Sequence, residues 1–310
     1  MENTSTFTTF ILDGYFILDQ QKHLYFTIFL FVYVVIVLLN ALLIAVIYTE
    51  RTLHNPMFIL VCHLSVNDIY GSSSLIPHLL FNLATQFYKI SLTNCLIQIF
   101  CLHTFNIIEL TILAVMGYDR YIAICHPLRY HSLMSPRKLQ IIAIFMWFYP
   151  LIAFLCYESL TIRLTFCNAI ITKTHCVNFE LIKLSCTDIT VHSIIGLSTL
   201  VLFMLPQLLV ILFSYAQILR VCLYSSKESV QTCTPHLLTV LNYFIGCFFE
   251  IIQSRYNISY LPYDFRTFMA LYFMIFPPLF NPIIYGMSGR VIRNLVYKFL
   301  FHKKVGVLKQ

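Results

Sequence analysis

Leu24 to Ile47 is an apolar run of roughly 24 residues, about 36 Å long as a helix, broken by one strongly polar residue, Asn40. A run of this length fills the hydrocarbon thickness of a bilayer, where only a helix or a closed barrel satisfies every backbone group. Comparable runs recur from Met57 to about Phe81, Cys95 to Tyr121, Leu139 to about Tyr157, Ser193 to about Leu223, near Pro235 onward, and Thr267 to Met287. Seven helical spans follow, so the fold class is an all-α membrane protein, a seven-transmembrane helix bundle. An odd number of spans puts the two termini on opposite faces.

Composition agrees, with 59% of residues hydrophobic and 11% charged, where a soluble chain carries roughly a quarter charged. The net charge of +7 forms no uniform stripe, which argues against nucleic acid and for sidedness. With the tail inside, the inner face collects Arg51, Arg120, Arg129, Arg137, Lys138, Arg220, Lys227, Arg290, Arg293, Lys298, Lys303, Lys304 and Lys309, opposed there by Glu50, Asp119 and Glu228. The positive-inside rule therefore places the N-terminus outside, with a basic inner surface suited to anionic membrane lipid or a G protein. The predicted organisation is an extracellular N-terminus over 1–23, the bundle over 24–287, and a cytoplasmic tail over 288–310. The tail holds an amphipathic interfacial helix, with Arg290, Arg293 and Lys298 set between apolar residues. The first long apolar run lacks a short basic lead, so no cleavable signal peptide is expected. Asn3-Thr4-Ser5 is a glycosylation sequon if that end is extracellular, and Asn257-Ile258-Ser259 is a second.

Ionisable groups inside spans are expensive and mark function. Asp68 lies about 18 Å above the inner end of span two, and Glu109 about 15 Å above Asp119 in span three, so two acids share one depth. Like charges so placed repel, which calls for a cation between them or a proton on one, unless each acid is hydrogen-bonded separately to different neighbours. Asp119 and Arg120 fall where span three meets water, and Arg120 can hold Asp119 or turn to a partner. Nearer the outer mouth, His103 and Asn106 share a face of span three, and Glu250 of span six lies at the depth of His103, where the two could pair. Arg255 sits higher on span six and favours an anionic ligand, whereas Glu250 favours a cationic one or neutralises Arg255 or His103. Cys95 opens span three, and the next outer loop holds Cys167, Cys176 and Cys186; four cysteines allow three pairings. Cys62, Cys125 and Cys247 read as apolar packing, and Cys222, Cys233 and His236 lack a standard zinc spacing.

The stretch from Met116 to Tyr130, reading MGYDRYIAICHPLRY, resembles the MAYDRYVAICHPLRY signature of vertebrate olfactory receptors, with Gly117 and Ile122 where the family usually has Ala and Val. Leu53 to Phe58, Leu64 to Asp68, Ser214-Tyr215, Thr232 to Leu237 and Pro278 to Tyr285 resemble further elements of that family, and the resemblance covers nearly the whole chain. It implies a rhodopsin-like receptor of the plasma membrane, with olfactory cilia as the site, that binds a small odorant and activates a heterotrimeric G protein of the olfactory stimulatory type, raising cyclic AMP. By spacing from His236, Arg255 matches an Arg that class I, aquatic-type members use against carboxylates. The resemblance also implies disulfides Cys95–Cys176 and Cys167–Cys186, a sodium ion at Asp68, Glu109 and Asn281, and a switch of Asp119, Arg120, Tyr121, Tyr215 and Tyr285. No other cofactor is implied, and no nucleophile or metal motif of an enzyme appears. The alternative is a non-olfactory receptor of the same plan for an amine, lipid or peptide. The Pro127 to Tyr130 extension and the three-cysteine loop argue against it.

Overall fold

A computed structural model describes residues 7–224, 228–256, 260–288 and 290–302. The bundle consists of α2 (Lys22–Thr49), α3 (Pro56–Thr85), α4 (Leu92–Cys125), α6 (Pro136–Thr161), α8 (Thr190–Tyr224), α9 (Glu228–Arg255) and α10 (Tyr263–Ser288). The short helix α1 (Tyr15–Gln20) precedes the first span, α5 (Tyr130–Leu133) and α7 (Asn178–Ile182) lie between spans, and α11 (Arg290–His302) follows the last. Among the described residues, six of the seven long helices are apolar enough by composition to cross a membrane. The exception, α3, is long enough at 30 residues but carries Ser65, Asp68 and Ser72 at helical spacing, all buried against its neighbours. Its polarity faces inward, so the chain is a seven-transmembrane bundle.

Local chemistry sets several helix starts. Asn55 caps α3 by accepting from the Phe58 N–H at 3.2 Å, with Pro56 in the first turn. Ser91 caps α4 through the Asn94 N–H at 3.3 Å. Pro235, expected near the start of span six, lies inside α9, which begins at Glu228. Transmembrane helices tolerate such prolines because neighbours satisfy the freed carbonyls. Asn40 shows how: its amide donates to Ile36 O and to Pro278 O, each at 3.0 Å, tying α2 to the proline-rich part of α10.

Helix α4 is the bundle's axis, packed against α3, α6, α8 and α9, while α2, α3 and α9 surround α10. Phe31, Leu38, Ile141, Val191, Leu202 and Phe248 point outward, a lipid-facing girdle. Gly71 lets α3 and α4 approach, since a Cβ there would overlap the ring of Phe105, itself 1% exposed. Gly71→Val should therefore destabilise the receptor by about 1–3 kcal/mol. Thermal unfolding of solubilised protein checks this, and Phe105→Leu in the same chain should recover part of the loss.

The outer end carries a cap that the reading of residues 1–23 as an extracellular N-terminus did not include. Strand β1 (Thr9–Leu12) pairs antiparallel with β2 (Lys89–Ser91) and parallel with β3 (Ile170–Ile171). Phe10, Leu12 and Tyr15 are fully buried under it. Tyr15 stacks on Tyr88 with centroids 5.0 Å apart, and the Tyr88 hydroxyl donates to Asp19, holding that carboxyl below its usual range. Disulfides join Cys95 to Cys176 and Cys167 to Cys186. Since such bridges persist in oxidising compartments, the capped end is the outer face.

Candidate functional site

Four layers of polar chemistry stack from the cap to the inner face. In the first, the loop after β3 is pinned by Cys176, whose N–H donates to Gln98 Oε1 of α4 at 2.9 Å. A Cβ at Gly14 would collide with the Lys173–Thr174 backbone, so β1 and its turn press directly on this loop. Lys173 is 7% exposed and reaches inward to Glu250 of α9, with Nζ 3.0 Å from Oε1 and 3.3 Å from Oε2. The expected Glu250–His103 pair is thus replaced by Glu250–Lys173. Counting residues along a helix gives depth but not azimuth, and the loop cation won the position. Lys173 also lines a separate polar cavity of about 190 Å³ with Asp13, Glu180, Gln253 and Arg266, so the ion pair stands between that vestibule and the interior.

His175, next along the loop, is fully buried beside Lys173, His103 and His78. Burial first, and then those neighbours, push its imidazole from the ordinary 6.5 to about 3. Its folded form is neutral while the unfolded chain takes a proton near 6.5, so its contribution to stability is present above that value and is lost as pH falls from there toward 3. Thermal stability should drop between neutral pH and about pH 5, and His175→Phe should flatten that part of the profile.

The second layer is a cavity of about 190 Å³ between α4, α6, α8, α9, α10 and the loop. Phe154, Phe203, Met204 and Phe273 give it apolar walls, and His103, Asn106, Gln207 and Glu250 give it its polar points. His103 Nδ1 lies 2.9 Å from Ile99 O, and its ring stacks on Phe154 with centroids 4.6 Å apart. Asn106 shares the cavity with His103, and its amide donates to Leu102 O at 2.8 Å. The Arg255 side chain, and Asn3 and Asn257, lie outside what the structure describes.

The third layer is a buried carboxylate pair. The Asn281 amide donates to Asp68 Oδ1 and Oδ2 at 3.0 and 3.2 Å and to Glu109 Oε1 at 2.8 Å. Asn67 donates to Glu109 Oε2 at 2.9 Å and to Phe105 O at 3.1 Å. One amide therefore bridges the two acids, which face a shared centre rather than separate neighbours. With their N–H groups used this way, Asn67 Oδ1 and Asn281 Oδ1 remain buried without a hydrogen-bond partner. The four residues carry two carboxylates and two orphaned carbonyl oxygens, hard oxygen donors of the type a sodium ion takes, while in this structure it is the amide N–H groups that hold the carboxylates.

At the inner face, Asp119 is fully buried and accepts from Arg120 Nε at 3.1 Å and Nη2 at 2.5 Å, and from the Tyr130 hydroxyl at 2.8 Å. Tyr121 bonds His126 Nε2 at 3.0 Å. His236 of α9 donates from Nε2 to Leu113 O of α4 at 2.9 Å, and the Tyr215 ring packs edge-on to it at 5.4 Å. Tyr215 and Tyr285 are both buried. Gln207, the pairing of Lys173 with Glu250, the Tyr130 bond to Asp119 and the clamping role of His236 went unread in the sequence. A cation in an outer loop beside an acid in span six is the signal that would have raised Lys173.

Comparison with known proteins gives one answer. A family model described as "Olfactory receptor" matches residues 29–303. Human "Olfactory receptor 52D1" is 32% identical over 93% of this chain and 93% of its own length. Human "Olfactory receptor 1S1" is 33% identical over 99% and 95% respectively, and rat "Olfactory receptor 1496" is 30% identical over 98% and 99%. Coverage is near complete from both sides, so the likeness is of whole receptors, not of one shared segment. The chain therefore belongs to the olfactory receptor family, as an odorant-sensing, multi-pass receptor of the plasma membrane and not an enzyme.

Proposed function

We propose that an odorant occupies the cavity between α4, α8 and α9 and that its binding is read at the inner face by a heterotrimeric G protein of the stimulatory type, raising cyclic AMP. The observation that carries this reading is the continuity of α4 (Leu92–Cys125): one rigid helix contributes His103 and Asn106 to the cavity, Glu109 to the carboxylate centre, and Asp119 and Arg120 to the inner lock. A ligand that binds an open state better than the closed one shifts the population by its differential affinity and no more. His236, which ties α9 to α4, is the contact that must yield when the inner end of α9 swings out. Arg120 is then released from Asp119 to a G-protein α subunit, with Tyr215 and Tyr285 as hydroxyl partners.

Asp68, Glu109, Asn281 and Asn67 would hold a sodium ion, which when bound offsets the repulsion between the two carboxylates and favours the packed centre. The test of the coupling is cyclic AMP in cells displaying the receptor at the surface, against a panel of volatile small molecules. A response that disappears in Arg120→Ala at equal surface density supports the reading. A response that Arg120→Ala leaves intact refutes the role given to the inner lock.

A further inference from the structure

The odorant cavity also has a chemical selectivity. Its anion, Glu250, is already matched by Lys173, and both are largely buried. A carboxylate that captured Lys173 would strand Glu250, and an amine that captured Glu250 would strand Lys173; stranding one member of a buried pair lowers affinity by roughly 100-fold or more. The remaining polar points have fixed roles. The Thr111 hydroxyl donates to Ile107 O at 2.7 Å, so it accepts from Gln207 Nε2 at 2.9 Å, which leaves Gln207 Oε1 as a buried acceptor without a partner. Asn106 Nδ2 is committed to Leu102 O, leaving Asn106 Oδ1 in the same condition. His103 must carry its proton on Nδ1 to bond Ile99 O, so in its neutral form Nε2 is an acceptor as well. At the outer rim the order reverses: Asn178 accepts from the Thr161 hydroxyl at 3.1 Å and keeps its amide N–H groups for donation.

We propose that this cavity selects neutral odorants that carry a hydroxyl group, an alcohol or a phenol, because its ionic groups neutralise each other and its deep polar atoms are acceptors in want of a donor. The hydroxyl donates to Asn106 Oδ1 or Gln207 Oε1, either of which must turn from its fully buried position toward the cavity to accept, and the carbon skeleton packs on Phe154, Phe203 and Met204. Aldehydes, ketones and ethers bring a further acceptor to an acceptor-rich end. This inference rests on the odorant reading of the cavity.

The experiment measures cyclic AMP from the full-length receptor at matched surface density. The probes are hexanol, methyl hexyl ether, hexylamine and hexanoate, and the benzyl series of the same four groups. Alcohols are expected to be the most potent in a series, ethers roughly tenfold weaker for the unmet acceptor, and the charged members roughly 100-fold weaker. Lys173→Met should gain amine responses and Glu250→Gln carboxylate responses, and the reversed pair Lys173→Glu with Glu250→Lys should return the preference to alcohols, which separates selectivity from misfolding. An ether as potent as its alcohol, or a charged probe that outperforms it, overturns the hydroxyl assignment while leaving the receptor reading in place. Silence to every alcohol also overturns it. In that case ligand-independent cyclic AMP above the Arg120→Ala level keeps the coupling reading, and its absence removes both.

Discussion

Replacing Cys95 by Ser will take the receptor off the cell surface. The Cys95–Cys176 bridge joins positions 81 residues apart, and both cysteines are buried where the loop enters the bundle. Removing such a bridge costs about 2–5 kcal/mol, a large share of the roughly 5–15 kcal/mol by which folded proteins are stable. The loss spreads because the same loop carries Lys173 to Glu250 and His175 into the interior, and β3 into the sheet with β1. Cys176→Ser should match Cys95→Ser, and the double variant should be no worse than either, since the second change removes nothing further. Cys62→Ser, at a half-buried free thiol, should leave surface density near wild type. Surface immunolabelling relative to total protein gives the comparison. Wild-type density in Cys95→Ser would mean that the sheet and core hold the cap without the bridge.

Asp119→Asn should raise ligand-independent cyclic AMP. In the closed arrangement the Asp119 carboxylate accepts two hydrogen bonds from Arg120 and one from Tyr130. The substitution keeps the shape and removes the charge, so Arg120 loses its ionic partner. A hydrogen bond to a charged group contributes about 1.5–3 kcal/mol. Losing the lower figure moves the closed-to-open ratio roughly tenfold. Tyr130→Phe removes one uncharged donor and should produce a smaller rise of the same sign. Arg120→Ala breaks the same lock but deletes the group proposed to meet the G protein, so it should raise nothing. Opposite outcomes from the two members of one ion pair separate a switch from a plain structural bridge, for which both changes would only destabilise.

Much of the fold was legible because a bilayer leaves few options. Apolar length alone located the seven spans to within a few residues at most ends; α2 (Lys22–Thr49) was read as Leu24 to Ile47. The sixth departed furthest, since Pro235 was read as a start and the structure carries the helix a further two turns toward the N-terminus. Depth was legible too, because rise per residue is fixed, and it brought Asp68 and Glu109 to one level where Asn281 now joins them. Azimuth was not. His103 and Glu250 do line one cavity, yet His103 turns to its own helix and to Phe154 while Glu250 turns to Lys173. Lys173 comes from irregular backbone, where no periodicity assigns a direction. The cap was hidden for a related reason: β1 is four residues long, and its partners β2 and β3 are separated from it by whole helices. Span three and its inner lock were plain because contact there is between neighbours, Asp119 and Arg120, at a helix end.

The most direct test of the account is to fill the cavity. Thr199→Trp places an indole among Asn106, Phe203 and Gly196, in the space assigned to the odorant. Cyclic AMP is then read against odorant concentration at matched surface density. The expected result is loss of the odorant response, while the same change in the Asp119→Asn background still shows raised ligand-independent cyclic AMP, so the receptor is folded and coupled but its site is blocked. An unchanged dose–response curve in Thr199→Trp would contradict the account, because the odorant would then be acting somewhere other than this cavity.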